Sequence, residues 1–216
     1  MKYVYFYNEY NENDIINKFG KKGTYLSEIT NLGLNVPKGF VITTDGCNEF
    51  YENNKQINND MITQINEYIS KLENITGKKF GDKNNPLLLS IKCSPKNEVP
   101  SIMNKIINIG LTEEIVEYLS KNTNEFIWIW EYYFNFINDY AKNVTNIDLE
   151  SYEDIKNFIS DKNNELTIEE LRIFLSKIKK EYQLKTKSEF QDNPKEQLYS
   201  IINKAFMSWN NERANI

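Results

Sequence analysis

The spacing of apolar residues changes character near Thr112, and that change limits the architectures open to the chain. Before it, short β-rich runs alternate with turns and helical stretches. Tyr3 to Tyr7 and Phe40 to Thr43 are rich in aromatic and β-branched residues and predict strands. Thr24 to Leu32 carries Leu26, Ile29 and Leu32 at helical spacing, with Gly33 placed as a C-terminal stop and Asn35 to Gly39 as a turn. Asp45 to Glu52 predicts a short helix capped by Asp45, and Met61, Ile65, Ile69 and Leu72 mark one face of a longer helix. Leu87 to Ile91, an unbroken apolar run after Pro86, predicts a fully buried strand.

From Thr112 onward only helical stripes remain. Ile115, Tyr118 and Leu119 form one, Phe126, Ile129, Trp130, Tyr133 and Ile137 a second, and Leu171, Phe174, Leu175 and Ile178 a third, which a Thr167–Glu170 capping box begins. Lys185 to Pro194 reads as a polar linker and Lys195 to Trp209 as a last helix. The expectation is an α+β fold with an α/β lobe over 1–111, a helical subdomain over 112–190, and a linker and final helix over 191–216 that return toward the first lobe.

Composition narrows the chemistry. The 216 residues hold no histidine, which excludes Ser-His-Asp and Cys-His nucleophilic sites, His-ligated zinc and an internal phosphohistidine. Two cysteines, Cys47 and Cys93, are too few for a disulfide framework or a structural zinc site and read as buried thiols. A net charge of -5, with no basic cluster on one predicted face, argues against a nucleic-acid partner. The aromatic cluster Phe126 to Phe136 has helical spacing in an acidic segment and reads as core, not as a stacking platform for bases. No apolar run approaches the roughly 20 residues of a membrane span, and the N-terminus lacks the basic-then-apolar pattern of a signal peptide. No membrane partner and a cytoplasmic location are expected. The basic residues are almost all lysine, with arginine only at 172 and 213, the imprint of an AT-rich genome.

Two segments could carry binding. Gly20-Lys21-Lys22-Gly23, between a strand region and a helix start, could hold a phosphate through backbone N–H groups, the helix dipole and a lysine charge, or could be an ordinary solvent turn. Ser90 to Asn104 runs from the predicted strand through Lys92, Cys93, Ser94, Pro95 and Lys96 into a polar loop. Lysines at the end of a central strand sit where α/β sheets bind ligands.

These segments belong to longer ordered matches. Thr76-Gly77-Lys78-Lys79-Phe80-Gly81-Asp82 followed by Asn85-Pro86-Leu87-Leu88-Leu89-Ser90, the set Gly33, Pro37, Gly39-Phe40, Thr43-Thr44 and Cys47, then Pro100, Met103 and Ile106 to Leu111, and finally Ser208 to Ala214 all follow one pattern. From about Tyr3 to Ala214 the chain resembles the N-terminal, ATP-binding part of the pyruvate phosphate dikinase family. The resemblance implies the first lobe of an ATP-grasp type nucleotide-binding domain with an inserted helical subdomain. In that family ATP phosphorylates a histidine on a separate swivelling domain, which passes the phosphoryl group to pyruvate. The second ATP-grasp lobe with its acidic metal ligands, the histidine domain and the pyruvate barrel correspond to regions beyond Ile216.

The resemblance also assigns site residues. Lys22 matches the phosphate-contacting lysine, while Lys21 stands in place of a glycine. Lys92 and Lys96 stand where the family has arginines, and Ser94 where it has glycine. In the loop implied to close over the phosphates, Ser101 replaces glycine, Met103 matches and Asn104 replaces aspartate. Lysine keeps the charge of arginine but not its two-pronged fork, a loss of about 1.5–3 kcal/mol for one charge-assisted bond. The expectation is therefore an ATP or other phosphate site, weak or vestigial, built from Lys22, Lys92, Lys96, Ser101 and Met103. It has no catalytic residue and no metal ligand of its own, and magnesium binds only if a second lobe is supplied. Apolar surface that such a lobe would cover predicts self-association or a partner supplying the lobe. The alternative is a pseudoenzyme, an interaction or regulatory module that binds no nucleotide.

Overall fold

The computed structural model describes residues 1–10, 12–93, 105–124, 126–161 and 166–209. It divides into two compact units. The first contains the described parts of Met1–Lys78, 92–104 and 205–216, and the second the described parts of Lys79–Ile91 and Lys105–Lys204.

In the first unit, strands β1 (Val4–Phe6) and β2 (Phe40–Ile42) pair antiparallel, with Val4 opposite Ile42, Tyr5 opposite Val41 and Phe6 opposite Phe40. Between them runs α1 (Ile15–Asn31), and after them come α2 (Thr44–Glu52) and α3 (Asn59–Thr76). Gln64 of α3 accepts hydrogen bonds from the N–H groups of Tyr3 (2.7 Å) and Val4 (3.3 Å), which satisfies the strand edge that an isolated two-stranded ribbon leaves open. Met61, Ile65, Ile69 and Leu72 are all buried, as their spacing predicts, and with Val4 and Phe50 they form the core of this unit. Asn58 caps α3 by accepting from the Met61 N–H at 2.8 Å, and Gly77 ends it in the left-handed conformation.

Three local expectations change here. The cap of α2 is Thr43, whose side chain accepts from the Gly46 N–H, and Asp45 lies inside the first turn. A hydroxyl two positions earlier reaches the N3 amide, which Asp45 from within the helix cannot. The basic segment at 20–23 is helical, not a turn. Only Gly20 leaves helical geometry, at φ 67° and ψ 174°, so α1 is two helical pieces meeting at that residue. The first piece, Ile15–Phe19, was not read from the sequence at all. Gly33 does end α1 as expected, at φ 77°, with Leu34 N–H bonded to the Ile29 carbonyl and Gly33 N–H to that of Thr30.

The second unit is mostly helical. Strand β4 (Lys105–Ile109) pairs with β3 (Leu89–Lys92), and α4 (Glu113–Lys121), α5 (Phe126–Tyr140), α6 (Glu150–Asp161) and α7 (Ile168–Thr186) follow. The final helix, α8 (Pro194–Trp209), belongs to this unit up to Lys204. Trp130, Tyr133, Phe134, Phe136 and Ile137 of α5 are essentially fully buried, which places most of the aromatic cluster in the core. The predicted capping box is present: Thr167 accepts from the Glu170 N–H and the Glu170 carboxylate accepts from the Thr167 N–H at 2.9 Å. Strand β3 departs from expectation. Its residues alternate between half-buried and exposed, and among the described residues it pairs with β4 alone, so it is no buried central strand.

Beyond α5 lies a π-helical turn at Ala141–Thr145, and Asn146 closes it in the left-handed conformation. No helix is long and apolar enough to cross a membrane among the described residues.

Candidate functional site

The candidate site grows from Gly20. At φ 67° and ψ 174° it occupies a region that side chains beyond glycine rarely adopt. Breaking the helix there makes Lys21 and Lys22 the opening residues of the piece that runs to Asn31, at the end of a helix where the dipole favours negative charge. Gly23 follows for a different reason. A Cβ there would lie 2.9 Å from the Phe19 Cβ and 3.3 Å from Val41 Cγ2, so its absence lets α1 lie close against β2.

This placement carries Lys22 to the far end of β3. Its ammonium donates to the carbonyl oxygen of Cys93 at 3.1 Å, across 71 residues of sequence. Cys93 is the residue after Lys92, so the two segments singled out by sequence meet in the first unit. The carbonyl fixes the ammonium's position and carries no formal charge of its own. Lys92, the last residue of β3, is exposed, on the opposite side of the strand from the half-buried Leu89 and Ile91. Lys96, Ser101 and Met103 lie outside the described residues.

The floor beneath is apolar and inert. Cys47 and Cys93 are both free and buried. Burial pushes the Cys47 thiol up to about 12, with a further contribution from Cys93. Burial likewise raises Cys93 to about 11, against the opposing pull of the Ser208 hydroxyl and the Lys22 charge. Burial that disfavours the thiolate makes both poor nucleophiles. Phe206 packs on Phe50 with ring centroids 5.2 Å apart, and the Tyr51 hydroxyl donates to the Phe206 carbonyl at 2.8 Å, which ties the end of α8 to α2. No group of three acidic, cysteine or histidine side chains that could hold a metal ion occurs among the described residues. The arrangement can attract and orient an anion through Lys22 and a helix start.

Sequence reasoning found both lysines but missed the element that brings them together. The signal was present in part: Ile15 and Phe19 are one helical turn apart and follow Asp14, a helix-start pattern just before Gly20.

Residues 16–128, which are 113 of the 216, match the family described as pyruvate phosphate dikinase, AMP/ATP-binding domain. Curated relatives match across nearly the whole chain. Pyruvate, phosphate dikinase of Clostridium symbiosum is 35% identical over 219 residues, covering 99% of this chain and 25% of that protein. The dikinase of Rhizobium meliloti is 32% identical over 202 residues, covering 91% of the chain and 22% of that protein. That of Entamoeba histolytica is 32% identical over 200 residues, covering 90% and 23%. The chain thus spans about a quarter of the length of the relatives it matches.

Proposed function

Because the chain belongs to the pyruvate phosphate dikinase AMP/ATP-binding domain family, we propose that it binds ATP by its phosphates, through Lys22 and Lys92, as the first lobe of an ATP-grasp type domain. One observation supports the reading: the Lys22 ammonium bonds the carbonyl of the residue after Lys92. On this reading Lys96, Ser101 and Met103 add further phosphate contacts, and the helical stretch of 112–190 is the inserted subdomain. Magnesium would enter with acidic ligands from a second lobe, where it would neutralise phosphate charge. Self-association, or a partner bearing that lobe, would close the site.

These 216 residues carry no histidine, so a phosphoryl group leaving ATP has no phosphohistidine acceptor among them. The chain by itself is therefore a binder and not a catalyst. With lysines in place of guanidinium forks, each cation contributes a screened interaction of about 1 kcal/mol or less, which supports high-micromolar to millimolar affinity, roughly 4–6 kcal/mol in total. Calorimetric titration with ATP, ADP and tripolyphosphate at two salt concentrations tests this. The expected outcome is weak, salt-sensitive binding that Lys22→Ala diminishes, with no ATP turnover above background. Absence of binding at every concentration would select the alternative, an interaction or regulatory module, which the glycine-to-lysine change at Lys21 favours.

A further inference from the structure

We infer that Thr44 is a positioning residue for Lys22, acting through the main chain on the far side of Gly20. The inference rests on the reading of Lys22 as a phosphate contact and names the residue that aims it.

A continuous helix transmits orientation along its own hydrogen-bond ladder, but α1 leaves helical geometry at Gly20. The direction of the Lys21–Asn31 piece is therefore set by what holds each side of the joint. On the downstream side Gly23 lies close against Val41 of β2. On the upstream side, the Thr44 hydroxyl donates to the main-chain carbonyl of Asn17 at 2.8 Å, three residues before the joint. The adjacent Lys18 ammonium lies 3.5 Å from the Asp45 carboxylate. The first turn of α2 thus grips the short piece that precedes Gly20.

The neighbouring threonines divide the work. Thr43 caps α2 through Gly46, so α2 does not need the Thr44 hydroxyl for its own start. That hydroxyl is directed instead at a carbonyl of α1. It is more directional than the Lys18–Asp45 pair, since a hydrogen bond weakens steeply with angle whereas an ion pair at 3.5 Å tolerates movement.

The test compares wild type, Thr44→Val, Thr44→Ser and Lys22→Ala in the full chain, with ATP titrated at low salt and thermal melting recorded alongside. Thr44→Val keeps the branched shape and removes the donor; Thr44→Ala serves as a second donor-free variant should valine disturb the fold. The expected result is an affinity about two- to fivefold weaker in Thr44→Val, no more than the loss that Lys22→Ala itself causes. Thr44→Ser should match wild type, and Thr44→Val should cause no further loss in the Lys22→Ala background. Hydrogen exchange of the α1 amides should rise in Thr44→Val while the melting temperature holds.

Wild-type affinity in Thr44→Val beside a weakened Lys22→Ala would overturn the positioning role and leave the ATP reading intact. So would an equal further loss in the Lys22→Ala background. If wild type itself binds no ATP, the functional reading falls and this inference falls with it.

Discussion

Lys22 of the first unit differs from the charged network of the second, although the first unit also has ion pairs of its own, such as Lys18 with Asp45. In the second unit, cations are matched to carboxylates that hold helices together. Lys179 lies 2.7 Å from Glu113 and 3.4 Å from Asp192, while Asp192 accepts from the buried Tyr133 hydroxyl at 2.6 Å and from the Glu113 N–H at 3.2 Å. Arg172 of α7 grips both oxygens of Glu117 on α4. Burial opposes ionisation of Glu181, but bonds from Lys185, the Ser151 hydroxyl and the N–H groups of Ser151 and Glu150 outweigh it and bring its carboxyl down to about 2. In the first unit, the Lys22 ammonium donates to a main-chain carbonyl beside a glycine break. Charge matched to charge builds structure, and a cation steadied by a carbonyl can still meet an anionic ligand. The contrast teaches where to look for binding in a lysine-rich chain: at the acceptor, not at the lysine count.

The largest expected effect breaks the second unit through its core. Trp130 is fully buried, and Trp130→Ala should destabilise this unit by about 3–5 kcal/mol through lost burial and the cavity left behind. Urea unfolding followed by circular dichroism measures it, and a cost under about 1 kcal/mol would mean that α5 is not the organising helix.

Next comes the carboxylate network. Asp192→Ala strips acceptors from the Tyr133 hydroxyl and the Glu113 N–H and should cost about 1–3 kcal/mol. The same denaturation series reads it, and ATP affinity should stay at its wild-type value if charge in this unit serves structure alone.

Acid provides a reversible version of the same break. Glu181 is held below its ordinary value of 4.5, at about 2, so its contribution to stability is fully present above about pH 5 and is lost as pH falls toward 2. Melting temperatures recorded from pH 7 down to pH 2.5 should decline through that window, and Glu181→Gln should flatten the decline. An identical acid profile in the variant would remove Glu181 from the account.

The smallest structural effect belongs to the first unit. Lys22→Ala removes an exposed side chain that bonds a carbonyl, so stability should change by no more than about 1 kcal/mol. Phosphate affinity should nevertheless fall about fivefold, the equivalent of about 1 kcal/mol. A large fall in melting temperature would erase the contrast between the units by making Lys22 a structural residue.

Much of the fold was legible where signals are local. The stripe Met61, Ile65, Ile69 and Leu72 gave α3, and Thr167 with Glu170 gave the start of α7, because helical period and capping act within a few residues. Gly33 was read correctly for the same reason. The start of α2 was misplaced by two residues because threonine and aspartate both cap, and only backbone geometry shows which one stands outside the helix. Strand β3 was read as fully buried because an apolar run does not state how many strands flank it. Strand β4 and helix α6 went unread: β4 is a five-residue strand inside a motif noted only for its resemblance, and the helical spacing of Tyr152, Ile155 and Ile159 in α6 was passed over.

Of the candidate site, the sequence alone determined the kind of chemistry. With no histidine, two cysteines and lysine as nearly the whole basic complement, the chain can offer cations to an anion but no imidazole to a phosphoryl group. Lys22 and Lys92 were identifiable as residues, since charge, the glycine beside Lys22 and the apolar run before Lys92 are properties of the string. The approach of the two segments was decided only in three dimensions. It depends on a helix broken at Gly20, on Gly23 lying against Val41, and on a bond from Lys22 to a carbonyl 71 residues away. Such contacts arise from packing between elements, which local propensity and spacing do not encode, so a segment that reads as a solvent turn became the start of a helix aimed at the end of a strand.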